Sequence, residues 1–220
     1  PTSENGAASH PAALAVGQLV SIEAVAGPHG LVARGIAIVN ALEGPITRLP
    51  KGGKFIEVLG QTVALMPDTR GLSGKGLAPG QMVKVAGLVG ADGKLTATRL
   101  TAAPGLTRSS VVGAVGGKGP ASHVGGVAVN THVGEGSALV TGRWTGSYLA
   151  ASTVAADPTY RFVGSAGRIL VEGIVQRSAG NGQVRVGGLD AVLAVTGKLD
   201  RAVGGPAKPI ADRSEEHTSE

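Results

Sequence analysis

The sequence predicts an all-β protein made of small antiparallel β-barrels in tandem. Three observations predict it. A hairpin pattern recurs along the chain, its strand periodicity slips at the same place in each copy, and glycine is abundant enough for many turns. The clearest copy runs Leu77-Ala-Pro-Gly80-Gln-Met-Val83-Lys-Val85-Ala-Gly87-Leu-Val-Gly90-Ala-Asp92-Gly93-Lys-Leu95-Thr-Ala97-Thr-Arg-Leu100. Val83 and Val85 alternate with Lys84, the period-2 pattern of a half-buried strand. Asp92-Gly93 marks the hairpin turn, because glycine supplies the positive φ that such turns require. Leu95-Thr-Ala97 resumes the alternation on the return.

An earlier copy runs Leu14-Ala-Val-Gly17-Gln-Leu-Val20-Ser-Ile22-Glu-Ala-Val-Ala-Gly27-Pro-His-Gly30. Laid on the first without a gap, it is identical at 7 of 17 positions. A weaker copy passes through Gly136-Ser-Ala-Leu-Val140-Thr-Gly142 and Tyr148-Leu149-Ala-Ala151-Ser-Thr-Val154. The returning strands place apolar residues at Leu31, Ala33 and Ile36, at Leu95, Ala97 and Leu100, and at Leu149, Ala151 and Val154. Each set is spaced i, i+2, i+5, whereas a regular strand keeps period 2 throughout. One added residue, a β-bulge, produces this slip and bends the strand, which suits closure into a small barrel.

A different half-unit precedes each hairpin. Glu43-Gly44-Pro-Ile46-Thr opens one and leads through Phe55-Ile-Glu-Val58 to Val63-Ala-Leu65. Val112-Gly113-Ala-Val115 opens the next and leads to Val124-Gly125-Gly-Val127-Ala-Val129. Glu172-Gly173-Ile-Val175 opens the last, with a turn at Asn181-Gly182 and Val184-Arg-Val186-Gly187-Gly-Leu189 beyond. The predicted organisation is therefore the closing half of one module at 1–42, complete modules at 43–106 and 107–164, and an opening half at 165–212. Residues 1–13 read as a flexible lead-in, and 101–108 and 157–164 as linkers. The outer halves lack partner strands, so 173–212 is expected to be the worst-paired β segment, with 14–36 similar unless the two halves find partners of their own. Val184, Val186, Val192, Leu193 and Val195 would then be exposed unless they dock on a neighbour.

The pattern L-x-x-G-x-x-V-x-V-x-G, D-G, L-x-A-x-x-h (h apolar), preceded by V-x-G-x-x-V, resembles the bacterial domain of unknown function 5666. The resemblance covers most of 14–193 and is best at 55–100. It implies tandem modules, export and no established activity, and it supplies no catalytic residues. The missing G-x-x-V spacing before Val140 and the incomplete fourth module depart from it. The tail Arg213-Ser-Glu-Glu-His-Thr-Ser-Glu220 resembles the in-frame translation of a sequencing adapter and is set aside as artefactual.

The composition bounds the chemistry. Glycine supplies 37 of 220 residues, which favours short elements and many turns. With five aromatics in all, the core is built from small side chains. There is no cysteine, which excludes disulfides, thiol catalysis and Cys-type zinc sites. No apolar run is long enough for a transmembrane helix in this stretch. The charge of +5 comes from scattered Lys and Arg, which suits a solvated basic surface or a polyanion-binding face. The Gly117-Lys118 pair fails the phosphate-loop pattern at Val112 and Gly119, and no G-x-S-x-G elbow occurs. Outside the tail the closest carboxylates in sequence, Asp190 and Asp200, are ten residues apart, too far for a local acidic metal loop. His10, His29, His123 and His132 read as surface or turn residues.

The predicted modules are five- or six-stranded, OB-like or SH3-like barrels, about three in number. No catalytic residue, metal site or cofactor is expected. The predicted function is a non-enzymatic, exported binding or scaffold protein, periplasmic or at the cell surface. The alternative is an OB-type nucleic-acid-binding protein. The candidate binding residues are Trp144, Tyr148 and Arg143, which could stack on bases or sugars, and Arg48, Lys51 and Lys54, the densest basic loop. The partner classes in view are protein, polysaccharide or another polyanion.

Overall fold

The computed structural model describes residues 1–72, 76–90, 92–117, 122–165, 167 and 170–171, with the strands of 175–192 as backbone. The protein is all-β, as its sequence predicts. Among the described residues, helix is confined to three 3-10 turns at Pro11–Ala13, Pro158–Tyr160 and Val163–Ser165.

Four strands form the N-terminal sheet: β1 (Thr2–Glu4), β2 (Ala7–Ser9), β3 (Leu19–Gly27) and β4 (Gly30–Val39), in the order β2-β1-β4-β3. Residues 1–13 are thus not a flexible lead-in. Thr2, Ser3 and Glu4 run parallel to Ile36, Ala37 and Ile38 and turn back through β2. The free edge of a half-barrel hairpin takes up the nearest extended segment, whose own polar side chains give no apolar alternation to read.

The next five strands are β5 (Leu42–Arg48), β6 (Phe55–Val58), β7 (Gln61–Gly71), β8 (Met82–Val89) and β9 (Leu95–Ala102). They form a closed ring. β5 pairs with β6 and β6 with β7, both antiparallel. β7 pairs in parallel with β9, β9 antiparallel with β8, and β8 antiparallel with β5. Leu42, Ile46, Ile56, Val63, Val83, Val85, Leu95 and Leu100 fill the interior. They come from alternating positions of all five strands, as the pleat requires.

The same pairings recur in β10 (Ser109–Gly116), β11 (Ser122–Val124), β12 (Val127–Val129), β13 (Ser137–Trp144) and β14 (Leu149–Ala156). The parallel seam is here a single pair, Val129 with Leu149. Val111, Val124, Val127, Val129, Val140 and Leu149 form its interior. The two rings are joined edge to edge, because β5 and β10 pair antiparallel through Leu42 with Val111 and Glu43 with Ser110. The C-terminal strands β15 (Val175–Ser178), β16 (Gln183–Val186) and β17 (Leu189–Val192) form a separate antiparallel meander. Leu193, Val195 and the adapter-like tail 213–220 lie outside the described residues.

The predicted bulge is present in all three hairpins. The register shifts between Ala86 and Gly87 in β8, between Thr141 and Gly142 in β13, and between Glu23 and Ala24 in β3. The extra residue lies on the returning strand, since Gly87 faces Ala97 while Ala86 faces Arg99. In the closed rings the site opposite the bulge is glycine. A Cβ at Gly87 would run into the carbonyl oxygen of Thr96, and one at Gly142 into that of Ala150.

The opening glycines have a second cause. A Cβ at Gly44 would lie 2.5 Å from Leu59 Cδ2, and one at Gly113 would lie 2.8 Å from Gly125 Cα. Leu59 and Gly125 begin the two-residue turns that join the second and third strands of their rings. Each opening glycine therefore admits the turn of its own barrel. Leu59 holds φ of +52°, a left-handed conformation that costs a non-glycine residue about 1–3 kcal/mol. Full burial of its side chain returns a similar amount, ~1.5–3 kcal/mol, so packing can hold the strained turn.

The bulge glycines generate a stability prediction. Gly87→Ala should cost about 2 kcal/mol or more, because the methyl meets backbone that cannot swing aside. Gly105→Ala, where a Cβ meets open space, should change stability by less than ~0.5 kcal/mol. Urea denaturation of the two variants checks the difference.

Candidate functional site

Two regions collect the polar chemistry of the described residues. The first lies where the N-terminal sheet meets both rings. Asn40 Nδ2 donates to Glu4 Oε1 and Glu43 Oε1, each at 2.8 Å. Ser110 Oγ donates to Glu43 Oε2 at 2.8 Å and accepts from Asn5 Nδ2 at 3.1 Å. Asn5 Oδ1 receives the Asn40 backbone N–H at 2.8 Å, and Lys84 Nζ pairs with Glu4 Oε1 at 2.8 Å. Asn40, Glu43 and Ser110 are buried. Asn5 reaches this place through a φ of +41°, a region that asparagine tolerates better than most residues.

A cavity of about 410 Å³ opens beside this network. Glu4, Gln18, Asn40, Lys84, Arg99 and Thr101 are among its lining residues. Its cations are already engaged, Lys84 by Glu4 and Arg99 by the Val16 carbonyl at 2.9 Å. The arrangement is one of structural pairing between modules.

The second region contains the residues singled out by sequence. Arg48 ends β5 and is ion-paired with Glu57 on β6. The hydrogen bond that Arg48 donates to Glu57, and then the Glu57 charge, raise the Arg48 guanidinium above its ordinary pKa. Lys51 and Lys54 are exposed on the loop between β5 and β6. On the second ring Arg143 is exposed, and Tyr148 is 41% exposed at the turn between β13 and β14. That turn is fixed by Thr145, whose N–H and Oγ1 both donate to the Tyr148 carbonyl, at 3.0 and 2.9 Å.

Trp144 is placed differently from its neighbours. Its ring lies over Gly60 of the first ring, with Cη2 3.5 Å from where a Cβ at Gly60 would sit. The Gly60 N–H is held by Thr47 Oγ1 at 3.2 Å, one residue from Arg48. Trp144 also packs against the shared apolar core. One indole thus reaches the turn between β6 and β7 of the other ring. It does so as a half-buried contact between rings, with Tyr148 the more open of the two aromatics.

Among the described residues no group of three or more His, Asp or Glu could hold a metal ion. His10 caps the first 3-10 turn, its Nδ1 accepting from the Ala12 N–H at 3.1 Å. His123 is exposed on β11, and His132 is exposed in the segment before β13. Sequence reasoning missed the Asn5–Asn40–Glu43–Ser110 network. Its members lie as far as 105 residues apart and belong to no periodic pattern.

The network generates a second stability prediction. Glu43→Ala leaves the buried Ser110 hydroxyl without its acceptor and Asn40 with Glu4 alone, at an expected cost of about 1–3 kcal/mol. Ser110→Ala combined with Glu43→Ala should cost less than the sum of the two single changes, since both act on one bonded group. Equilibrium unfolding of the double-mutant cycle checks this.

Comparison with known proteins agrees with the first ring's geometry. Residues 43–101 match the family model described as domain of unknown function DUF5666. No curated protein and no solved structure matches the chain. The matched residues are those that make the first closed ring, and the chain therefore carries there a domain of the DUF5666 family.

Proposed function

We propose that the chain is a non-enzymatic scaffold or binding protein in which barrel modules are fused into one unit that presents its connecting loops. The observation that carries this reading is the way its carboxylates are engaged. Glu43 and Glu4 join the modules through Asn40, and Asp157 accepts from Ser137 Oγ at 2.5 Å and from the Thr159 N–H at 2.8 Å. Glu57 pairs with Arg48, and Asp92 with Lys94 at 3.0 Å. Carboxylates held in this way maintain architecture, whereas acid–base chemistry needs a carboxyl group facing a substrate. Export belongs to the same reading and rests on the family resemblance; a signal peptide in the full gene supports it, and a gene product without one counts against it.

A second reading has its own support. The strand order of the ring, one-two-three-five-four and back to one, with its parallel seam between three and five, suits an OB-type barrel. In such barrels, ligands lie near the loop between strands one and two and the loop between strands four and five. Arg48, Lys51 and Lys54 lie at the first of these positions on the first ring, and Tyr148 at the second position on the second ring. A strand of nucleic acid or an acidic polysaccharide has the charge to meet such loops.

An anisotropy titration with a labelled oligothymidine at about 150 mM salt separates the readings. No saturation tighter than ~1 μM is expected for the scaffold, since non-specific phosphate contacts reach only that range. Tighter binding that weakens about tenfold or more in a Lys51→Ala/Lys54→Ala/Tyr148→Ala variant would overturn it in favour of the OB-type binder.

A further inference from the structure

The two closed rings define what one unit requires. Three opening strands form a meander, two closing strands form a bulged hairpin, and two seams join them. At one seam the first strand pairs antiparallel with the fourth, and at the other the third runs parallel to the fifth. The chain also holds each part once more. The hairpin β3–β4 has the register and bulge of a closing pair. The meander β15-β16-β17 has the connectivity of an opening trio. In sequence this trio carries Gly173 at the opening position and Gly187-Gly188 where the second ring has Gly125-Gly126.

Both parts have open seams. Among the described residues β3 pairs only with β4, and β4 is met by β1 at Ile36, Ala37 and Ile38 but by no strand at residues 31–33. The hairpin face that would look into a barrel is uncovered. Ile22 is 51% exposed and Leu31 80% exposed, whereas their counterparts Val85 and Leu95 are buried. The opposite face is occupied, because the Phe162 ring packs against Gly35 on the side of Glu23. Among the described residues the meander β15–β17 pairs only with itself.

We propose that Val171 and the meander β15–β17 of the same chain are the occupant of this open face, which completes a third five-stranded barrel. The register follows from the complete rings. Leu42 faces Val85 and Gly44 faces Val83 in the first, while Val111 faces Val140 and Gly113 faces Ala138 in the second. The equivalent seam sets Val171 opposite Ile22. Val171 is itself 40% exposed, where Leu42 and Val111 are buried. The chain is already held at the right place. Arg161 Nη1 donates to Ser3 Oγ at 3.1 Å, and Phe162 lies on Gly35. The nine residues from Phe162 to Val171 can span about 30 Å, enough to cross from one face of a small sheet to the other. So short a tether gives an effective concentration on the order of millimolar, which favours the same chain over a second copy.

The test uses the full chain, which has no cysteine of its own. Directly opposed residues of an antiparallel pair have Cα atoms about 4.5–5.5 Å apart, within disulfide range. An Ile22→Cys/Val171→Cys variant should form an intramolecular disulfide under mild oxidation, seen as a faster-migrating monomer on a non-reducing gel. Leu31→Cys/Val171→Cys should not, because the fourth strand would lie between the two positions. A cross-linked dimer would overturn the proposal in favour of a second copy as occupant, and absence of any cross-link would overturn it outright. Hydrogen exchange on the unaltered chain gives a reading independent of the variants. Amides of Val20, Ser21 and Ile22 should exchange within about tenfold of those of Val83, Lys84 and Val85, and faster exchange overturns the closure.

Discussion

One added residue in the returning strand of each hairpin controls the shape of the molecule. Five strands make a narrow ring, and a flat ladder of that width cannot bend back on itself. The bulge supplies the bend, and it also changes which face each later residue serves. Leu95 and Ala97 lie before the slip and Leu100 after it, yet all three reach the same interior. The cost is a close approach of two backbones, which is why Gly87 and Gly142 stand opposite the bulge in the closed rings. The first hairpin makes the same shift with Ala24, and among the described residues it pairs with β1 in place of a ring strand.

Closure inside each module is apolar, and the joint between modules adds a polar network to an apolar core that both rings share. Val, Leu and Ile fill the rings, whereas Asn5, Asn40, Glu43 and Ser110 meet where the N-terminal sheet and both rings converge. No buried side-chain nitrogen or oxygen among the described residues is left without a partner. Such a joint is directional in a way that an apolar one is not. A shift of register between β5 and β10 would separate Glu43 from Ser110 and expose donors with no replacement. The shared apolar core holds the rings together, and these hydrogen bonds set the register in which they meet.

The repeated hairpin, its bulge and the all-β class were legible because they are local and periodic. A slip in spacing at Leu95, Ala97 and Leu100 can be read from ten residues of text. What escaped reading was non-local or contrary to propensity. The opening glycines were recognised as a spacing, but not as seats for the turn residues Leu59 and Gly125. Leu59 in a left-handed turn contradicts local preference and is tolerated through burial that only the assembled ring provides. The N-terminal strands β1 and β2 lacked alternation, since the partner offered by residues 36–38 determined their conformation. Trp144 and Gly60 belong to different rings, so their contact could not be seen in either motif.

The antiparallel pairing of β5 with β10 has a mechanical consequence. Modules connected only by a peptide linker extend under tension as beads on a thread, each free to turn. Here the first strand of one ring lies alongside the first strand of the next, and the N-terminal sheet is bonded to both. Load applied along the chain reaches the joint as shear across several hydrogen bonds at once. The two rings are then tied by a strand pairing and by side-chain bonds rather than by a peptide linker alone.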